Sequence, residues 1–320
     1  SRRSGKNMAL PTDERLAELT EKLENGIQEL YASGRYGAYL SAMSKFHHYS
    51  FGNALLILLQ CPTASRVAGF HTWKKEFGRQ VKRGEKGIQI LAPCPVRQYV
   101  WQEAKDPQTG RPLYNPDGTL KMETSIATVT RFKVAHVFDV SQTEGRELPA
   151  LAVTELTGDV ENFQTMYDCL AACSPVPVMQ DFIPGAAKGY FSPAEGRIVL
   201  RPGMSQAQTV KTLVHEIAHA KLHDPAKVLP EEQKARREKE VEAESVAYVV
   251  CQHFGIDTSD YSFGYVAGWS KGRDLSELKA SLDTIHSTAG EIIAALESNC
   301  LERQIPAQPT PKKRHYEYQH

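Results

Sequence analysis

The sequence predicts an α+β protein with two domains. Three observations carry this. Helical amphipathic patterns occupy both ends of the chain, strand-like segments cluster between Arg79 and Asp139, and 320 residues suit two domains of ordinary size. Apolar residues make up 41% of the chain, enough for real cores.

The elements follow in order. Residues 1–11 are expected to be a flexible arm. In "DERLAELTEKLENGIQELYASG" Leu16, Leu19, Leu23, Ile27 and Leu30 share one helical face, and Gly34 stops the helix. A second helix is expected over Tyr36–Phe46. A third runs from Phe51 to Gln60, capped by Ser50 and ended by Pro62. "HTWKKEFG" reads as a short helix with Gly78 as its stop. "RQVKRGEKGIQILAP" reads as a strand, a tight turn at Arg83-Gly84 and a second strand, that is, a basic hairpin. Residues 102–124 are polar and turn-rich, with Asp117-Gly118 as a turn signal, and read as an exposed insertion between strands. "IATVTRFKVAHVFDVSQT" supplies further strand.

"EGRELPAL" marks the expected boundary between a domain at 12–148 and one at 149–300. Beyond it come a helix at "VENFQTMYDCLAAC", a strand hairpin at "GYFSPAEGRIVLRPG", a helix over Ser205–His223, and another over about Glu231–Phe254 with Gly255 as its stop. More helix follows from Ser259 to Cys300. The Pro-rich polar segment 301–320 is expected to be disordered.

Net charge is zero, so only the distribution of charge points to partners. Residues 1–100 carry 15 Lys/Arg against 8 Asp/Glu, and most of the excess lies in Arg66–Arg97. Such a local basic patch implies docking to something acidic. The longest strongly apolar run, Ala54–Leu59, is far too short to span a bilayer, and no apolar stretch follows the basic N-terminus as in a secretory leader. The six cysteines are scattered without Cys-x-x-Cys spacing. The expectation is a cytoplasmic protein in a reducing compartment, with no membrane partner.

The chemistry concentrates in "TLVHEIAHAKLH", Thr212–His223, which contains His-Glu-x-x-His. Ser205 and Gln208 have capping-box spacing at the helix start. Val210, Leu213, Val214 and Ile217 make one apolar stripe. His215 and His219, about 40° apart on the wheel, lie roughly opposite it and point the same way. Two histidines leave a catalytic zinc one protein ligand short. The next helix, "REKEVEAESVAYVV", offers Glu240, the carboxylate nearest that helix's buried stripe. A buried carboxylate needs a partner, so Glu240 is expected to be the third ligand. Glu244, one turn on, is expected to orient a histidine N–H. The reverse assignment of Glu240 and Glu244 stays open. Glu216 would be the general base of a peptide hydrolase, with Zn2+ as Lewis acid. The strand near Gly196–Leu200 could pair with an extended substrate. His223 reads as a bystander near the helix end.

"GFHTWKKEFGRQVKRGEKGIQIL" interleaves Phe70, Trp73 and Phe77 with Lys74, Lys75, Arg79, Lys82, Arg83 and Lys86. Cations plus exposed aromatic faces are what single-stranded nucleic acid binding needs. The competing reading is a solvated charged hairpin with Trp73 and Phe77 in the core.

Taken together, the two features resemble a known family. "FHHYSFGNALLILLQCPTASRVAGFHTWKKEFGRQVKRGEKGIQILAP" resembles the N-terminal single-stranded-DNA-binding domain of ArdC-type antirestriction proteins, through Asn53, Gln60, Trp73, Gly78, Val81, Gly84, Lys86 and Gly87. "LVHEIAHAKLH" with "EVEAESVAYVV" resembles the metallopeptidase domain that follows it there, and the helix pair of ImmA/IrrE peptidases. In those peptidases a Glu-x-x-x-Asp/Asn pattern supplies a ligand and its support; here it reads Glu240…Glu244. The resemblance implies an N-terminal DNA-binding domain using Asn53, Trp73, Lys74, Arg79, Lys82, Arg83 and Lys86, and a C-terminal zincin-like metallopeptidase domain similar to Spartan-type proteases. It also implies a mobile-element protein that protects incoming single-stranded DNA and acts on a protein substrate. Two other readings stay open: a single-strand-binding protein whose zinc domain does not turn over, and a peptidase that cleaves a repressor-like regulator.

Overall fold

A computed structural model describes residues 12–148 and 160–298. The arm at 1–11 and the tail at 301–320 lie outside the described residues, as does the segment just beyond the expected boundary.

Helices α1 (Thr12–Ala32), α2 (Tyr36–Lys45) and α3 (Phe51–Gln60) form where the apolar periodicity places them. Ser50 caps α3 by accepting from the Asn53 N–H at 3.2 Å. A short strand β1 (Val67–Gly69) leads into α4 (Phe70–Lys75) and strand β2 (Arg79–Val81). Two long strands follow, β3 (Ile88–Glu103) and β4 (Met122–Asp139), then a 3-10 turn and β5 (Thr143–Gly145).

The basic segment is not a hairpin. β2 pairs with β5, whereas β3 pairs with β4 in register from Ile88↔Val137 to Glu103↔Met122. The turn is present, with Gly84 at φ +88°, but it carries the chain from one sheet to another. Sequence alone shows a turn between two strand-like runs; it does not show that each run has a distant partner.

The β3–β4 ribbon spans about 50 Å by strand rise. Its tip holds the expected insertion, closed by bridges Lys105↔Pro112 and Tyr114↔Leu120. At its root, the α3 side-chain amides act like a third strand. Asn53 Nδ2 donates to Leu91 O and Leu91 N donates to Asn53 Oδ1, both at 2.9 Å. Gln60 makes the same exchange with Gln89 at 2.8 and 3.0 Å. The two amides lie two helical turns apart, on one face, so both reach one strand edge.

The remaining elements are α5 (Val160–Cys173), β6 (Val178–Gln180), β7 (Gly189–Ser192), β8 (Arg197–Leu200), α6 (Gln206–Leu222), α7 (Arg236–His253), α8 (Val266–Ser270) and α9 (Leu275–Leu296). β8 is the middle strand of its sheet, parallel to β6 and antiparallel to β7. It therefore has no free edge for a substrate, contrary to the sequence expectation; β7 has one. Buried apolar residues of α1–α3 and of α6, α7 and α9 form one cluster. Tyr36 of α2 reaches into it, its hydroxyl 2.9 Å from Ser245 Oγ of α7. Cys169 is disulfide-bonded, which the scattered cysteines do not suggest, while Cys61, Cys94, Cys173 and Cys251 are free. Among the described residues no helix is long and apolar enough to cross a membrane.

Candidate functional site

Helix α6 starts at Ser205, whose side chain accepts from the Gln208 N–H at 3.2 Å. Its apolar stripe packs inward, with Val210, Leu213, Val214 and Ile217 all at 0% exposure. His215 and His219 then face α7 together, with their Nε2 atoms 3.1 Å apart. Glu240 of α7 closes the triangle: its Oε2 lies 3.5 Å from His215 Nε2 and its Oε1 3.8 Å from His219 Nε2. The edge of a tetrahedral zinc site is about 3.3 Å, from zinc–ligand bonds of about 2.0–2.1 Å. The three residues therefore fit a metal ion as they stand, and Glu240, not Glu244, completes the group.

The protons of the surrounding groups support the same conclusion. His223 Nε2 lies 2.9 Å from Glu242 Oε2, and His223 Nδ1 lies 2.9 Å from His219 Nδ1. Glu242 has no solvent exposure. Burial pushes its carboxyl pKa up, but the bonds from His223 and Lys234 outweigh that and hold it below the usual range, so it is ionised and only accepts. His223 must then carry its proton on Nε2 and offer a lone pair at Nδ1. His219 must donate from Nδ1, which leaves Nε2 bare and aimed at His215 and Glu240. A bare nitrogen, a second imidazole nitrogen and a carboxylate converge on one point, an arrangement that suits a metal cation. The carboxyl pKa of Glu240 is strongly depressed by the two histidines that contact it.

His223 and Glu242 are thus the functional residues that sequence reasoning missed. His223 does end the helix, its N–H bonding His219 O at 2.8 Å, but its ring supports His219. The available signal was its i+4 spacing from His219. Glu244 does not hold a histidine: it accepts from the Tyr265 hydroxyl. Glu216 is buried beside His215 and His219. Burial raises its carboxyl pKa against the opposing pull of His215, His219 and the Phe191 N–H of β7. A carboxylate with raised proton affinity suits a general base.

The expected DNA-binding residues divide. Lys74, Lys82, Arg83 and Lys86 are exposed, as is Lys75. Arg79 is tied down: its Nε donates to Thr143 Oγ1 at 2.7 Å and a terminal nitrogen to Arg146 O at 2.6 Å. Trp73 is fully buried, and its indole N–H donates to Phe138 O at 2.8 Å. It offers no face to a base, so the stacking expected of it does not hold. Asn53 is buried and engaged with Leu91. Exposed rings occur instead along one face of the ribbon, at Phe132, Tyr99 and Trp101, the last at 69% exposure. The basic turn sits at that ribbon's root.

Residues 11–138 match the family model of the N-terminal domain of the anti-restriction factor ArdC. An uncharacterized Bacillus anthracis protein is 29% identical over 324 residues, covering 91% of this chain and 53% of its own length. The chain thus spans about half of that relative. Two crystal structures of the antirestriction protein ArdC from plasmid R388 are also similar. The metal-free one has 21% identity and a TM-score of 0.45, covering 77% of this chain and 82% of its own. The Mn(II)-bound one has 18% identity and a TM-score of 0.42, covering 77% and 83%. The likeness to that antirestriction family thus rests on residues 11–138, less than half of the chain, which match the model of its N-terminal domain.

Proposed function

We propose that the chain is a single-stranded-DNA-binding zinc peptidase that serves antirestriction, with His215, His219 and Glu240 as metal ligands and Glu216 as general base. The convergence of three metal-competent groups beside a buried carboxylate carries this reading. A zinc ion held there would supply Lewis acidity toward a peptide carbonyl. Glu216 takes a proton from water and returns it to the leaving amine. His223 and Glu242 keep His219 in the tautomer that binds. The free edge of β7, with its Phe191 N–H at Glu216, suits an extended peptide by strand addition.

The DNA surface is Lys74, Lys82, Arg83 and Lys86, continued by Phe132, Tyr99 and Trp101 along the ribbon. The two-domain division at 12–148 and 149–300 is one of function, because the apolar core runs through both. Glu216→Gln should keep zinc and oligonucleotide binding and lower protein cleavage by about 100-fold or more. A Glu216→Gln protein that cleaves at the wild-type rate removes the peptidase reading. Full antirestriction by that variant would favour the binding-only alternative. Arg83→Glu with Lys86→Glu should weaken single-strand binding and flatten its salt dependence, by roughly 0.7 in log–log slope per lost phosphate contact. An unchanged slope places the DNA elsewhere.

A further inference from the structure

At the other end of α7, three more side chains from three separate segments meet. His47 lies between α2 and α3, His253 is the last residue of α7, and Glu297 directly follows α9. Each offers one ligand atom, and these atoms lie within 4.8 Å of one another.

His253 Nδ1 is 3.0 Å from Ser44 O, and its Nε2 is 2.8 Å from Glu297 Oε1. A carbonyl oxygen only accepts, so Nδ1 carries the proton. A neutral His253 then aims its Nε2 lone pair at a carboxylate oxygen, and two acceptors face each other. Either a second proton on the ring or a cation between them resolves this. His47 favours the cation. Both of its ring nitrogens are sealed from solvent and make no hydrogen bond of full geometry, the Ser44 carbonyl that His253 already uses being the acceptor beside them. Its ring stands edge-on to His253 at 4.5 Å between centroids and lies 3.8 Å from that of His48. Buried polar atoms are rarely left unpaired. A proton on His253 does nothing for His47, whereas an ion engages it.

We infer that His47, His253 and Glu297 form a second divalent-metal site, of the zinc type, separate from the His215 centre. Imidazole, imidazole and carboxylate are a donor set that zinc accepts, with one position left for water. The site lies about 20 Å from Glu240 along α7, by helical rise. It touches no part of the proposed peptidase chemistry. Its place in the fold assigns it a clamping role: one ion would join the α2–α3 turn to the ends of α7 and α9.

The test is metal stoichiometry. The whole 320-residue chain is loaded with Zn2+, desalted, and analysed by native mass spectrometry and atomic emission. Glu297→Gln should carry one ion fewer than the wild type. The Glu297 side chain is 43% exposed, so this change is compatible with folding. His215→Ala distinguishes the centres, since it should lose a different ion and leave the one at Glu297. In the His215→Ala background, added Zn2+ should raise the urea midpoint, and adding Glu297→Gln should abolish that rise. Equal zinc content in wild type and Glu297→Gln, with no zinc-dependent midpoint in His215→Ala, overturns the inference. Glu297 and His253 then form only an imidazolium–carboxylate pair. Loss of the His215 ion alone would bear on the proposed peptidase and not on this site.

Discussion

Glu242→Gln keeps a buried side chain's volume and removes its charge. The ionised carboxylate only accepts, and that single fact sets the direction of the whole relay from His223 to His219. A glutamine amide can donate. With its NH2 turned toward His223 Nε2, the relay inverts: His223 is protonated on Nδ1, and His219 carries its proton on Nε2, the atom that faces His215 and Glu240. Metal must then displace that proton or force the amide to flip. Outer partners of metal-binding histidines typically change affinity by about 10–100-fold, or about 1.4–2.7 kcal/mol. Lys234, the other partner of Glu242, is 32% exposed and can return to water, so its loss adds little. Competition with a chromophoric chelator at neutral pH measures the zinc Kd, and circular dichroism checks the fold. The Kd should rise by about 10–100-fold. Glu244→Gln is the control: Glu244 accepts from Tyr265, so its effect should stay below about tenfold. Unchanged affinity in a folded Glu242→Gln protein, or a larger effect from Glu244→Gln, would refute the relay.

Three further outcomes follow from the N-terminal half. Asp139 is buried and accepts from the Ser65, Arg66 and Ser141 N–H groups and from the Ser141 hydroxyl. Burial pushes its pKa up, but these bonds outweigh it and the net shift is downward. Its stabilisation is therefore present above the unfolded pKa of about 3.9 and is lost as pH falls through the lower native value. Asp139→Asn should be less stable at neutral pH by about 1–3 kcal/mol in urea titrations, and the gap should close in acid; a gap that widens in acid contradicts the assignment. Trp101→Ala should weaken oligonucleotide binding by about 1–3 kcal/mol at unchanged stability. Trp73→Ala should instead cost about 3–5 kcal/mol of stability, and a stable Trp73→Ala protein that has lost DNA binding would restore Trp73 to the DNA site.

Helices were legible because period and caps are local. The Leu16–Leu30 stripe, Ser50, Ser205 and Gly255 mark their elements without knowledge of any partner. Strand pairing was not legible, because β2 and β3 look alike in sequence and differ only in which distant strand they meet. The cluster that could hold a metal was legible for the same reason as the helices: His215, His219 and Glu240 follow from two helical wheels. The support for His219 was not. A wheel places Glu242 and Glu244 on opposite flanks of α7 but cannot say which flank faces α6. Trp73 shows the converse limit. Basic residues around an aromatic ring have the same pattern whether the ring stacks on a base or fills a core.

The helix α7 also links the two halves of the chain, and this has a measurable consequence. Tyr36, Tyr39, Leu40 and Met43 of α2 are at most 1% exposed, and Tyr36 bonds Ser245 on α7. Burying each such side chain contributes about 1.5–3 kcal/mol. Removing the four therefore forfeits roughly 6–12 kcal/mol, comparable to the whole stability of an ordinary domain, about 5–15 kcal/mol. A fragment covering 149–320 should consequently fail to fold alone, despite holding His215, Glu216, His219 and Glu240. Co-expression with 1–148 should recover a soluble, zinc-binding complex. Gel filtration and zinc content of the fragment with and without its complement read this out. If the 149–320 fragment is folded and binds zinc by itself, α2 is dispensable, and the proposed metal centre does not depend on the N-terminal half. If it needs the complement, metal binding and the N-terminal fold are linked, because the helix that carries Glu240 and Glu242 is stable only where α2 covers it.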